Sequence, residues 1–538
     1  MKAMLEFPIK HIDGNLVFGI DGTVTAYFKI AGFNYDFLSH DDKFKPFEAQ
    51  RAFLFNNRSD LHFVSEPFPT NIDEIIKQTI EEIEVKDYEL KESGLAYMQF
   101  LQESLKGRRE SSEANDYAQY IGVQLHSDRN RFKDSNVGMS TIYAIKEFFN
   151  GLLEQSRRAT GLHATDILES EIMMWRTQAE TVLEALRNAF QSIVVMPKTA
   201  ETVRLIEKEF SVLSSNLDVE NRYDFESAHV IEQIGEDGHM QRAYRPNEKS
   251  FLQLRETNIE EVSPTTLKFS RVLDGQMKHL YARYLVVHAM DSENHFPNFE
   301  WLYYLQSNLA FPVSTSIRAY YQSNERIVKR LSNKRLEYRD QKEEAMRAGS
   351  ATDLSLNQSE MGTIQTEAYF QKSGQPAYAS SIIFKITAET EQELEMRAQD
   401  LQRKLINFGI KIVAPFGEQL SLMMERVLGS RQLNNDYQIE MDAGVLAGMM
   451  FGATSSIGDG RGFFIGYTER LNNPVFIQPD LAAKSFDGLG NLEDSISALV
   501  AGATGKGKSF FMNLYSYLSA LTGSHVLIID PKGGATRS

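Results

Sequence analysis

The stretch Val500–Asp530, VAGATGKGKSFFMNLYSYLSALTGSHVLIID, constrains this 538-residue chain more than any other. Within it Gly502-Ala503-Thr504-Gly505-Lys506-Gly507-Lys508-Ser509 meets the pattern G-x-x-x-x-G-K-[ST] at every defined position. The apolar run Ile496–Val500 ahead of it reads as a strand, and Phe510–Leu521 behind it reads as a helix. Strand, glycine loop and helix in that order are the setting in which this pattern wraps a phosphate. Glycines let successive backbone N–H groups turn inward where a side chain would block close approach. The helix beginning near Lys508 directs its positive dipole end at the same anion. On this logic the site runs from Gly502 to Phe510, Lys508 reaches the β- and γ-phosphates of ATP, and the Ser509 hydroxyl ligates Mg²⁺.

Val526–Asp530 (VLIID) reads as a second buried strand, turned by Pro531-Lys532-Gly533-Gly534. It comes directly after the first helix, whereas the Mg²⁺-associated acidic strand of RecA-like motors comes later. Asp530 therefore ends the second strand in this reading. A nucleotide-binding domain of this kind needs well over about a hundred residues. Far fewer follow the loop before Ser538, so the motor domain is expected to be incomplete.

The length leads us to expect three or four domains. With 57 Lys and Arg against 73 Asp and Glu the net charge is −16, which gives no support for a generally basic nucleic-acid binder. The chain has no cysteine, which excludes disulfides and Cys-ligated metal centres and fits a reducing compartment. No run reaches the ~18–20 apolar residues of a membrane span, and MKAMLEFPIKHIDG lacks the apolar core of a signal peptide. The expected location is cytoplasmic, held at the membrane periphery through partners.

Three regions are expected in order. Residues 1–240 form an α+β domain that opens with a hairpin, Asn15–Ile20 and Thr23–Ile30 around the turn Asp21-Gly22. Further strands are expected at Asp60–Val64, Tyr117–Leu125 and Ser192–Met196. Helices are expected from Ile72 into the charged stretch Glu81–Glu92, and at Ser140–Arg157, Ile167–Phe190 and Ala200–Phe210. The polar stretch Glu236–Ser250 reads as a linker. Residues 251–430 contain two β-α-β runs: Lys278–Ala289, Asn298–Leu309 and Val313–Tyr320, then Ala377–Ala388, Glu391–Phe408 and Ile410–Val413. Together they suggest a ferredoxin-like sandwich. Between them Asn324–Arg347 reads as a projecting charged helix, and the Gly/Ser/Asn-rich Gly349–Gly362 returns the chain. A helix at Gly417–Leu428 closes the second region, and residues 431–538 begin a P-loop ATPase domain with a glycine-dense loop, Gly444–Gly462, and a hairpin, Gly462–Tyr467 with Pro474–Gln478. The fold class is thus multidomain α/β and α+β, with ferredoxin-like units before the start of a RecA-like P-loop NTPase.

Four features in this order resemble the ATPases of conjugative type IV secretion systems, the TraC/TrbE class and its Gram-positive relatives. They are FPNFEWLYYL, APFGEQLSLMMERVLG, the hairpin GYTERLNNPVFIQPD, and GATGKGKSF running on to LIIDPKGG. The resemblance covers roughly Met277 to the end, and only the phosphate loop is highly specific. It implies a complete protein that hydrolyses ATP to drive channel assembly or transfer of DNA or protein. Such a protein works as a hexamer beside inner-membrane and cytoplasmic channel components. It also implies that Gly502, Ala503, Thr504, Gly505, Lys506, Gly507, Lys508, Ser509 and Phe510 bind the nucleotide. The acidic Mg²⁺ strand, the polarising glutamate and the arginine finger would then lie beyond Ser538, so the 538-residue chain alone is not expected to turn ATP over. Relatives often carry an acid at the position of Gly534.

Two other readings stand beside this one. A DNA-translocating or coupling ATPase would carry much the same loop, but such coupling proteins usually have N-terminal membrane spans. A docking module of the secretion complex would use the first ~490 residues without catalysis. Weaker signals have bland explanations. His288 and His295 with Asp291 and Glu293 match no helix-face metal spacing and read as a solvated loop. Trp301, Tyr303 and Tyr304 read as core or partner packing rather than base stacking.

Overall fold

The structure is a computed structural model. It describes residues 7–36, 38–69, 72–109, 115–126, 166–190, 192–212, 225–234, 240–254, 257–273, 275–291, 295–347, 354–434, 436–455, 457–459, 461–468, 474–478 and 499–529. They fall into two compact units, Met1–Pro67 with Tyr117–Thr454, and Phe68–Asp116 with Ser455–Ser538. The linear three-part order expected above is not how the chain condenses. Its first two parts share one sheet, and a segment of the first part joins the last.

The first unit is built on a largely antiparallel sheet. Its N-terminal strands are β1 (Ile9–Asp13), β2 (Leu16–Gly19) and β3 (Val24–Ile30), followed by a two-residue β4 (Phe33–Asn34), β5 (Leu61–Pro69) and β6 (Asn115–Leu125). The turn between β2 and β3 is the expected one, with Thr23 N–H donating to Asp21 Oδ1 at 3.0 Å. After α1 (Phe44–Asn56) and the long α4 (Glu169–Phe190) comes β8 (Val194–Val195), shorter than expected, and then α5 (Thr199–Phe210). The expected helix Ser140–Arg157 lies outside the described residues. The expected linker Glu236–Ser250 is instead structured from Met240 on, its first residues lying outside the described ones. Strands β9 (Ala228–Ile234) and β10 (Met240–Pro246) pair, β10 also meets β7 (Ile167–Leu168), and α6 (Glu248–Gln253) follows. Polar composition misleads there because β9 and β10 line a half-exposed sheet, where charged side chains are at home on the wet face.

The second half adds β11 (Asn258–Ser263), β12 (Thr266–Leu273), β13 (Gln276–Met290), β14 (Ser314–Gln322), β15 (Ala377–Ala388), β16 (Ile410–Val413), β17 (Ile439–Asp442) and β18 (Ala453–Thr454). Its helices are α7 (Trp301–Asn308), α8 (Asn324–Arg347), α9 (Leu354–Ser373), α10 (Glu391–Ile406), α11 (Gln419–Arg426) and α12 (Ala443–Gly448). β15 is buried along nearly its whole length, which suits its pairing with three strands, β13, β14 and β17. α10 is started by Thr390, whose side chain accepts from Glu393 N–H, and it buries Leu394, Ala398, Leu401 and Leu405 along one face. α8 has the expected span, but from Leu354 the return stretch is a second helix, α9, its first residues lying outside the described ones. Phe370 on α9 is buried with Ile327 and Leu331 of α8, and Arg335 meets Glu367 at 3.4 Å; this packing outweighs the poor helix composition. Trp301 is core, edge-on to Phe384 at 5.8 Å. His288 and His295 are exposed, and Glu293 lies outside the described residues.

The strand order exposes a repeat that the sequence does not advertise. Around α1 and α4 the order is β8-β3-β6-β5, and around α7 and α10 it is β16-β13-β15-β14. In both halves a helix follows the first strand and another follows the third. A helical pair is inserted between the second and third strands of each half, α8 and α9 in the later one. The halves join edge to edge where β5 pairs β14, Ser65 opposite Thr315 and Leu61 opposite Ala319.

A buried ionic cluster lies where these parts meet. The Arg426 side chain on α11 is 1% exposed; it reaches Glu66 of β5 at 2.8 Å and Glu209 of α5 at 3.3 Å, and donates to the Ile383 carbonyl at 3.1 Å. Lys385 of β15 lies 3.4 Å from Glu209, and Tyr284 of β13 donates to the same carboxylate at 2.8 Å. Burial opposes the charge on Glu209, but Lys385 and Arg426 outweigh it and hold its pKa below the ordinary value.

Histidine 11, on β1, makes the sheet unit acid-sensitive. It is buried, with Nδ1 2.8 Å from Ser227 Oγ and the ring stacked on Tyr244. Burial pushes its pKa down to about 4, against Asp13 and helped by Lys10. Between pH 6.5 and 4 the folded protein therefore binds fewer protons here than the unfolded chain, so stability falls as pH falls through that window. At pH 5 the cost from His11 is about 2 kcal/mol. Urea unfolding at pH 7 and pH 5 should show the protein losing about 2 kcal/mol more than a His11→Asn variant. Equal losses would remove His11 from the account.

Candidate phosphate-binding site

The phosphate-loop residues are described in the second unit. α13 (Lys508–Leu521) forms where a helix is expected, and Gly502–Gly507 is the loop that leads into its N-terminal end, with Lys508 and Ser509 in its first turn. Gly505 and Gly507 both sit at φ +81°, a backbone conformation that side-chain-bearing residues rarely adopt. Gly507 is the residue before the helix, and its carbonyl accepts from Phe511 N–H at 2.9 Å. Lys506 N–H donates to the Ala503 carbonyl at 3.3 Å, closing the loop. Lys508 folds back over it, its Nζ donating to the Ala503 carbonyl at 2.8 Å and its stem lying over Gly502. Ala501–Gly507 and Ser509 are exposed, Thr504 among them, and Phe510 is 73% exposed. The first N–H groups of α13 have no acceptor within the helix by its geometry, and they open beside the exposed loop.

The flanking strands differ from expectation. Leu499–Val500 and Val526–Ile529 are in no strand; Ile496–Ala498 and Asp530 lie outside the described residues. A strand needs a paired edge, and among the described residues none lies beside these runs, so Leu499, Leu527 and Ile529 are 94%, 85% and 82% exposed.

What packs against α13 comes from far away in sequence. α2 (Ile72–Val85) and α3 (Lys91–Arg109) form a helical hairpin, where a helix running into the charged stretch was expected. Ile72, Ile76, Ile83, Met98, Leu101 and Leu105 of this hairpin bury a core with Leu518 and Leu521 of α13. Phe463 of β19 (Phe463–Tyr467) and Phe476 of β20 (Pro474–Ile477) complete it; these two strands are the expected hairpin. Thr79 of α2 accepts from Gly462 N–H at 3.1 Å, and Gln478 donates to Glu82 at 2.7 Å. Lys86 Nζ donates to the Thr522 carbonyl at 2.7 Å, and the Tyr88 hydroxyl donates to the carbonyl of Leu521. No local signal in Lys86 or Tyr88 gives this away, because the partner lies 436 residues later for Lys86.

The loop, its left-handed glycines and the helix behind it have the local arrangement of a phosphate loop. Residues 472–537 match the family model described as the AAA-like domain, a P-loop ATPase class found in TraC/TrbE-type conjugation ATPases. Over nearly its whole length the chain is similar to the uncharacterized protein YddE of Bacillus subtilis (strain 168), with 22% identity over 548 residues. The alignment takes in 98% of this chain, which spans 60% of that protein's length. Among the described residues, no helix is long and apolar enough to cross a membrane, and no group of His, Cys, Asp and Glu is placed to hold a metal ion.

Proposed function

We propose that this chain belongs to an ATP-binding, energising subunit of a conjugative type IV secretion apparatus. The observation that carries the nucleotide site is the loop Gly502–Ser509: two left-handed glycines, the Lys508 ammonium over the loop and the open end of α13 together. These residues fit a bound Mg²⁺–ATP. The backbone of Gly502–Gly507 would face the phosphates, with Phe510 beside them; Lys508 would release Ala503 and meet phosphate oxygens, and the exposed Ser509 hydroxyl would take the Mg²⁺. When bound, the nucleotide supplies the free energy of phosphoanhydride cleavage. Turnover is proposed for the whole protein, working as a hexamer at the cytoplasmic face of the membrane through channel components. The AAA-like match and the resemblance along Met277 to the end support this role. The two strand orders β8-β3-β6-β5 and β16-β13-β15-β14 support reading the first unit as a pair of ferredoxin-like modules that serve docking.

Binding of a fluorescent ATP analogue with Mg²⁺ tests the site. Lys508→Ala is expected to weaken it at least about thirtyfold, since a hydrogen-bonded charge pair is lost. Equal binding by both proteins would sink the nucleotide site. The secretion role is tested separately, by transfer frequency in a strain whose sole copy carries Lys508→Ala. A fall to background supports it, and unchanged transfer despite lost ATP binding overturns it. Salt-sensitive DNA binding by the protein would instead favour a DNA-translocating ATPase.

A further inference from the structure

We propose that the α2–α3 hairpin is a positioning element for the nucleotide loop, acting through Lys86 and Tyr88 at the opposite end of α13. The inference rests on the nucleotide-site reading above.

α13 is held almost entirely by its rear. Leu518 and Leu521 are buried and Leu514 is partly buried, on one face, whereas Phe510, Met512 and Tyr517 are more than half exposed. The helix is a rod ~21 Å long, so a tilt of ~5° at its clamped end moves Lys508 by ~2 Å. That exceeds the tolerance of a hydrogen bond to a phosphate oxygen. The precision of the loop is therefore set at the clamp. There Lys86 brings a positive charge to the Thr522 carbonyl, at the negative end of the helix dipole. The Tyr88 hydroxyl holds the Leu521 carbonyl, and burial raises its pKa, so it stays a donor. The Tyr88 ring also lies against Gly523, and Gly94 of α3 brings the α3 backbone directly onto the Leu521 carbonyl. A lysine, a tyrosine and a glycine from one hairpin thus converge on the last turn of the helix whose first turn carries Lys508 and Ser509.

The hairpin leaves the first unit at the end of β5 and returns to it at the start of β6. Both of its ends are therefore continuous with strands of the large sheet. By linkage, whatever nucleotide does to the hairpin the hairpin does to nucleotide affinity, to the same factor.

The test uses the full chain, Mg²⁺ and an N-methylanthraniloyl-ATP probe, with Lys86→Met/Tyr88→Phe and Lys86→Arg. The double variant is expected to raise the probe's Kd at least about fivefold while keeping the far- and near-UV circular dichroism of the parent. Lys86→Arg, which preserves the charge and the donor, should keep the parent affinity. In the unaltered protein, saturating probe should slow amide exchange across residues 83–105, remote from the loop. Unchanged Kd in a folded double variant overturns the proposal. So does unaltered exchange in the hairpin when the probe is bound, and that measurement decides alone if the double variant does not fold. If the unaltered protein binds probe no better than Lys508→Ala does, the nucleotide-site reading itself has failed and takes the proposal with it.

Discussion

Arg426→Ala is expected to cost the sheet unit about 3–5 kcal/mol. The reason is asymmetry. Arg426 is fully desolvated and stands between two carboxylates, Glu66 and Glu209. Removing it leaves Lys385 and the more distant Lys208 to neutralise both, and the Ile383 and Ser314 carbonyls lose a donor. An exposed pair such as Arg51–Glu48 contributes only about 0–1 kcal/mol, because water already solvates both partners. The measurement is the urea midpoint of the Arg426→Ala protein against the parent, with Arg51→Ala as the control. A loss below about 1 kcal/mol would mean that water enters the cluster freely. Arg426→Met with Glu66→Gln should recover part of the loss, since fewer buried charges then go unpaired.

Gly94→Ala is expected to destabilise the second unit by about 2–3 kcal/mol, although alanine in a helix interior ordinarily gains about 1 kcal/mol over glycine. A Cβ at position 94 would lie 2.4 Å from the Leu521 carbonyl oxygen and 3.0 Å from the Tyr88 hydroxyl. The obstacle is backbone rather than a flexible side chain, so α3 must move off α13 and loosen the burial of Leu518 and Leu521. A gain in stability on denaturant titration would show that the hairpin yields without cost. The opposing sign of the propensity effect makes that result easy to read.

The parts of this fold legible in sequence are those set by neighbours. Asp21-Gly22 fixes the β2–β3 turn, and the G-x-x-x-x-G-K-S pattern fixes the loop and its helix. The spans of β13, α8, β15 and α10 follow from periodicity because each is long and bounded by turn residues. What escaped was decided at a distance. The residues of β5 carry no mark of their pairing with β14, Ser65 with Thr315 among them. The residues of α2 and α3 look like any amphipathic pair of the N-terminal region, and nothing local assigns them to the phosphate-loop helix. Polar strand β10 lies in the stretch read as a linker because one wet face is enough to hide a strand's apolar content. The residues Leu499 and Val526–Ile529 failed in the opposite way: their composition announces strands, but composition cannot supply an edge to pair with.

The hairpin's distant docking site also fixes a timetable. Lys86 and Thr522 are separated by 436 positions. At ~5–20 residues per second a ribosome needs ~20–90 s to make the chain between them. Throughout that interval Ile72, Ile76, Ile83, Met98, Leu101 and Leu105 have emerged while the helix they are to cover does not yet exist. The cell must shelter an oily surface for about a minute on every molecule it makes, which makes the newborn chain a natural client for holding chaperones.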